Sequence, residues 1–92
     1  MRVEGSANAV ADLQQLSSYI EEVTSLRTAN RFTRTIYEAA QSLKNLPNRG
    51  RPGRIQDTRE LVVSNLPYIV MYQVLSDRVL ILNIVHGAQE WP

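Results

Sequence analysis

From Asn8 onward the apolar residues Val10, Leu13, Leu16, Ile20 and Val23 recur every three or four positions, while Asp12, Gln14, Gln15, Glu21 and Glu22 fall between them. That period predicts an amphipathic helix from about Ala7 to Glu22. Thr24 and Ser25 then offer N-cap side chains. Ala29, Phe32, Ile36, Ala39, Ala40, Leu43 and Leu46 repeat the spacing, which predicts a second helix ending before Pro47. So short a link makes the two helices antiparallel neighbours in a hairpin. Ahead of them, Val3 alone hints at a short first strand before Gly5.

Past Pro47 the segment Asn48-Arg49-Gly50-Arg51-Pro52-Gly53-Arg54 places two glycines and a proline within seven residues, so neither helix nor strand is expected to run through it. Beyond it the period shortens. Thr58–Val63, Tyr68–Leu75 and Arg78–His86 are rich in Val, Ile, Leu and Tyr and are separated by Asn65-Leu66-Pro67 and Ser76-Asp77, which predicts three strands in an antiparallel meander. The last two strands are apolar on both alternating faces, the middle one with Val70, Tyr72 and Val74 on one side and Ile69, Met71 and Leu75 on the other. A strand of that kind is covered on both faces. The helical hairpin supplies one cover, and the other is expected from the C-terminal tail or a partner. The fold class is therefore α+β: a short N-terminal strand and an antiparallel helical hairpin packed on a small, mainly antiparallel sheet.

The 92 residues make a single domain, 1–92, which buries only about 60–65 % of its unfolded surface and has little to spare for deep clefts. A large multi-substrate enzyme is thereby disfavoured. No apolar run approaches the ~18–20 residues that span a bilayer, and no secretory signal opens the chain, so a soluble, cytoplasmic protein without membrane contact is expected. With no cysteine there is no disulfide, thiol nucleophile or Cys-based zinc site, and one histidine without suitably spaced carboxylates predicts no metal site. No phosphate-cradling glycine loop occurs, so no cofactor is expected.

The net charge of +1 conceals segregation along the chain. Residues 1–26 set one arginine against four acids, whereas residues 27–59 carry eight basic residues, seven of them arginine, against two acids. A +6 stretch suits an acidic partner or phosphate, because the guanidinium fork matches both; a solvated helix face followed by a solvated loop is the alternative.

Several segments resemble the RelE/ParE superfamily of bacterial type II toxins over nearly the whole chain: Leu46-Pro47-Asn48-Arg49-Gly50-Arg51-Pro52-Gly53-Arg54, Thr58-Arg59-Glu60-Leu61-Val62-Val63, Pro67-Tyr68-Ile69-Val70-Met71-Tyr72 and the closing His86-Gly87-Ala88-Gln89-Glu90-Trp91-Pro92. The chain departs from many members at Gly5-Ser6, where they carry an aromatic. The resemblance implies the RelE/ParE toxin fold, a growth-arresting toxin and a cognate antitoxin that neutralises it, with operator DNA reached only indirectly through that antitoxin. Some members cut messenger RNA on the ribosome and others poison DNA gyrase. The positions at which RelE-like ribonucleases carry basic groups fall here on Glu60, Val62, Ile69 and Gln89, and the chain stops at Pro92 without their terminal tyrosine. That favours a ParE-like inhibitor of DNA gyrase acting by protein–protein binding, with no catalytic constellation of its own. The alternatives are a ribosome-dependent endoribonuclease and a degenerate toxin that keeps only antitoxin binding.

For the ribonuclease, the catalytic candidates are His86, Arg59, Arg51 and Arg54: a base, and cations for the developing phosphate charge. Glu60 points away from Arg59 by strand parity and is a poor orienter for it. For a protein target, the binding candidates are Arg51, Arg54, Arg59, Gln89 and Trp91. The competing structural readings are a strand-end His86 hydrogen-bonded to backbone, a Trp91 packed on the sheet, and loop arginines that are merely solvated, whose replacement would change stability by no more than about 0.5 kcal/mol. Tyr68 and Tyr72, on one strand face, read as core and rim.

Overall fold

The structure is a computed structural model, described here over residues 1–87. Strand β1 (Arg2–Gly5) leads into helices α1 (Ala7–Val23) and α2 (Leu26–Ser42), followed by β2 (Arg51–Pro52), β3 (Arg59–Val62), β4 (Tyr68–Val74) and β5 (Arg78–His86). The strands form one sheet in the order β1-β5-β4-β3-β2, with β1 parallel to β5 and the other pairs antiparallel. The expected α+β class, helical hairpin and meander are all present. The last meander strand has the expected ends, while β3 is one residue shorter at each end and β4 one residue shorter at its C-terminal end.

Each helix is capped as its sequence allows. Ser6 Oγ accepts the Ala9 N–H at 3.1 Å and Ser25 Oγ accepts the Thr28 N–H at 3.1 Å. Thr24, expected as a second N-cap, instead closes α1: its hydroxyl and its N–H both donate to Ile20 O. The second helix ends four residues earlier than its apolar period suggests. The Leu43 and Lys44 N–H groups fall back on Ala40 O and Gln41 O, which tightens the last turn, and the pre-proline residue Leu46 is disfavoured in helical conformation and left exposed.

A larger difference concerns the arginine-rich loop. No strand is expected there, yet Arg51 and Pro52 pair with Glu60 and Arg59 as a two-residue edge strand. Proline is admissible because β2 is the edge of the sheet among the described residues. Gly50 makes the approach possible: a Cβ there would lie 2.7 Å from the Tyr72 hydroxyl and 2.8 Å from Glu60 O.

The core lies between the helices and one sheet face, and includes Ala29, Ile36, Leu43, Leu61, Val63, Val70, Tyr72, Val79 and Ile81. Ile69 and Met71, on the opposite face, are also buried. The C-terminal tail proposed as their cover lies outside the described residues. Between Met71 and Tyr72 the β4–β5 register shifts, so that Asn83 faces Met71 and Ile81 faces Tyr72. Leu82 is thus the extra residue of a β-bulge. Its carbonyl accepts the Ser6 hydroxyl at 2.9 Å, so a cap residue also serves the bulge. Beyond it, Asp12 Oδ2 accepts Asn83 Nδ2 at 3.0 Å and the Ile84 N–H at 2.9 Å, tying α1 to β5.

Tyr72 is fully buried; its hydroxyl donates to Pro47 O at 2.7 Å and accepts the Gly50 N–H at 2.9 Å. Replacing it by phenylalanine strands both backbone groups. Tyr72→Phe is therefore expected to lower stability by about 1–3 kcal/mol in urea unfolding, and to speed amide exchange at Gly50 selectively.

Candidate functional site

The sequence candidates divide between the two faces of the sheet. Arg51 and Glu60 are register partners on the face away from the helices, the face of Met71. Arg51 Nε and Nη2 both donate to Glu60 Oε1, at 3.2 and 3.0 Å, and the Arg54 backbone N–H donates to Oε2 at 2.9 Å. The Glu60 side chain is 1 % exposed and that of Arg51 54 %. Arg51 therefore has one side on a buried carboxylate and the other in solvent.

This corrects the reading of Arg51 as a merely solvated loop side chain. The signal was present in the sequence, since a single glutamate within Thr58-Arg59-Glu60-Leu61-Val62-Val63 must find a cation or several donors if the strand is buried. What concealed it was β2, whose proline and flanking glycines read as a loop.

Arg59 lies next to Glu60 on the strand and projects to the other face, as parity predicts. Its Nη1 donates to Gly50 O at 2.7 Å, so it holds the same loop that Tyr72 holds. His86 sits at the far end of β5, opposite Tyr68, with the rings edge-to-face at 5.5 Å. Arg59 is opposite Tyr72, four residues along β4, so the two candidates are separated by about 13 Å of strand. The structure does not bring His86 and Arg59 together as a base and its neighbouring cation. His86 lines a cavity with Asp12, Gln15, Leu16, Tyr19 and Tyr68. Burial, with a smaller contribution from Tyr19, holds the Tyr68 phenol above its usual value, so it stays protonated at neutral pH.

The positions aligned with the ribonuclease cations carry no cation. Ile69 is buried, Val62 is exposed, and Glu60 is a buried acid neutralised by Arg51. Gln89 and Trp91 lie outside the described residues. Among the described residues no cluster of three His, Cys, Asp or Glu side chains could hold a metal ion, and no helix is long and apolar enough to cross a membrane.

One feature sequence reading located only in general terms is an apolar groove of about 350 Å³ between the helices and β1. Val3, Val10, Leu13, Ile36, Tyr37 and Ile84 are among its lining residues, and Gly5 lies on its wall. Val10 and Tyr37 remain 49 % and 59 % exposed. A side chain at position 5 would meet only Val10 Cγ2, at 3.7 Å, so Gly5 leaves space rather than filling a close approach.

An N-terminal strand, a helical hairpin and a mixed five-stranded sheet with a basic edge hairpin form the α+β fold that the RelE/ParE resemblance implies. Residues 3–91 match the family described as ParE toxin of type II toxin-antitoxin system, parDE. The chain belongs to that family. It is 38 % identical over 91 residues to the Sinorhizobium fredii protein named "Putative toxin Y4kP", covering 99 % of this chain and 93 % of that one. Among solved structures it resembles a chain of the chromosomal ParDE system of P. aeruginosa, with a TM-score of 0.88, 23 % identity and coverage of 94 % and 95 %. It also resembles a chain of the RelBE2 toxin-antitoxin complex of Mycobacterium tuberculosis, with a TM-score of 0.67, 21 % identity and coverage of 96 % and 92 %.

Removing Arg51 leaves Glu60 with one backbone donor in a buried site. Arg51→Ala is expected to destabilise the fold by about 1–3 kcal/mol, and Arg51→Ala/Glu60→Leu by less than the sum of the two single changes, as read in a double-mutant cycle of urea midpoints.

Proposed function

We propose that this chain is the toxin of a type II pair that arrests growth by binding DNA gyrase, and that its cognate antitoxin neutralises it by occupying the groove between the helices and β1. The observation that carries the gyrase reading is the sheet itself. The face on which a ribonuclease of this superfamily would need cations carries Ile69, Val62 and a Glu60 already neutralised by Arg51. General acid–base cleavage of RNA lacks its electrostatic partner there. Inhibition by protein binding needs a shaped surface, and the Arg51–Arg54 hairpin with Arg59 beneath it is one. The groove supports the antitoxin assignment, because a partly exposed apolar channel bordered by α2 suits a helix or added strand from a partner.

Induction of the toxin alone tests the target. The expected outcome is filamentation, a DNA-damage response and inhibited supercoiling by purified gyrase, with translated messages intact in primer extension. Reproducible A-site cuts abolished by His86→Ala would instead make it a ribonuclease, and neither phenotype would make it a degenerate toxin. For the antitoxin, Val10→Asp/Tyr37→Ala is expected to weaken binding at least tenfold, about 1.4 kcal/mol, in titration calorimetry with the product of the adjacent small open reading frame, while the melting temperature holds. Unchanged affinity would place the antitoxin elsewhere.

A further inference from the structure

Three arginines of α2 have no part in either surface. Arg27, Arg31 and Arg34 are spaced by four and three residues, so they lie in one stripe, and all three are exposed. Opposite them on the helix are Ala29, Ile36 and Leu43, buried in the core. Among the described residues none of the three arginines forms an ion pair; the pairs belong to Arg2, Arg51 and Arg78. Arg31 Cζ lies 5.8 Å from the centroid of the Phe32 ring. At the far end of the helix Arg49 donates to Ser42 Oγ at 2.6 Å, which adds a fourth guanidinium in the direction of the stripe. Glu38 is the single acid on the stripe.

We infer that this outer face of α2 is a contact surface for the phosphate backbone of duplex DNA, through which the toxin touches nucleic acid directly. Two features select that partner over an acidic protein. The stripe itself carries only polar side chains, flanked by Asn30 and Thr35, with Arg31 and Thr35 also bordering a depression shared with Phe32 and Leu66, whereas a protein interface gains its energy from aromatic and aliphatic anchors at a desolvated centre. The exposed apolar residues of this helix, Leu26 and Tyr37, are turned about a quarter of a revolution away, Tyr37 into the groove. The spacing also fits: Arg27 to Arg34 spans about 10 Å of helix, the axial length over which one DNA strand presents about three phosphates. Such binding carries no sequence information and weakens steeply with salt. Because the stripe and the groove lie on different sides of α2, a toxin with its groove occupied keeps the arginines accessible.

The test is anisotropy of a fluorescein-labelled duplex of arbitrary sequence titrated with the purified chain, repeated across a salt series. Wild type is expected to bind with affinity that falls steeply as salt rises. Arg27→Gln/Arg31→Gln/Arg34→Gln is expected to flatten the slope of log affinity against log salt by about 0.9 for each lost contact, close to 3 in all, with helical circular dichroism and melting temperature unchanged. Equal affinity and slope in the two proteins would overturn the inference. So would loss of the whole slope in Arg54→Gln, or tighter binding of poly-glutamate than of DNA to the same stripe. Gyrase supercoiling measured on the same preparations reports separately on the toxin reading, because the stripe is not among the residues proposed for that target.

Discussion

A tyrosine hydroxyl that is fully buried has to satisfy its donor and its acceptor inside the protein, and Tyr72 does so on two carbonyl and amide groups of one loop, Pro47 O and Gly50 N. Much of the basic half of the molecule depends on that constraint. Once residues 47–50 are fixed against β4, the chain leaves Gly50 at the edge of β3 in the only register that places Arg51 opposite Glu60. Arg59 adds a second attachment from the same side through Gly50 O. Glu60 adds a third from the opposite face, drawing in the Arg51 guanidinium and the Arg54 N–H. The hairpin is therefore held on both faces of the sheet, and its arginines are presented from a preorganised backbone. Ordering costs on binding are smaller for such a surface than for a free loop.

A second constraint operates at the other end of the sheet. The bulge at Leu82 inverts the facing of every later residue of β5, so Ile84 and His86 share the helix side with Val79 and Ile81. Ser6 and Asp12 stabilise that inversion by bonding the Leu82 carbonyl and the Ile84 amide. His86 is consequently placed on Tyr68, at the opposite end of β4 from Arg59.

Elements built on long periodic stretches could be read directly from the chain: the helices from Val10 to Val23 and Ala29 to Leu43, and the meander from its β-branched runs and turn residues. Long-range pairing of short segments could not. β2 has only two residues and includes a proline, and it exists because Glu60 and Tyr72 recruit it, so no local propensity announces it. The parallel pairing of β1 on β5 joins residues more than seventy positions apart and leaves no periodic trace in a four-residue strand. The bulge is equally silent, because Val79, Leu80, Ile81 and Leu82 are apolar without a break and leave no alternation for a register shift to interrupt. For the candidate site, the residue types were visible and their division between faces partly so. Parity separated Arg59 from Glu60 correctly, while the bond from Arg51 to Glu60 depended on the unseen strand.

This arrangement changes how mutations in the basic hairpin have to be interpreted. Arg51 combines a half-exposed guanidinium with the neutralisation of a buried carboxylate, so any loss of activity on its removal includes lost fold. Arg54 engages Glu60 through its backbone N–H, which every substitution except proline retains, so its side chain can be varied without removing that bond. Glu60 is the inverse case: its side chain is buried, yet its replacement would release the hairpin that carries the exposed arginines. A residue can therefore control how the exposed arginines are presented without being exposed itself. In this fold the acid in the middle of β3 and the tyrosine in the middle of β4 occupy that position, one on each face of the sheet.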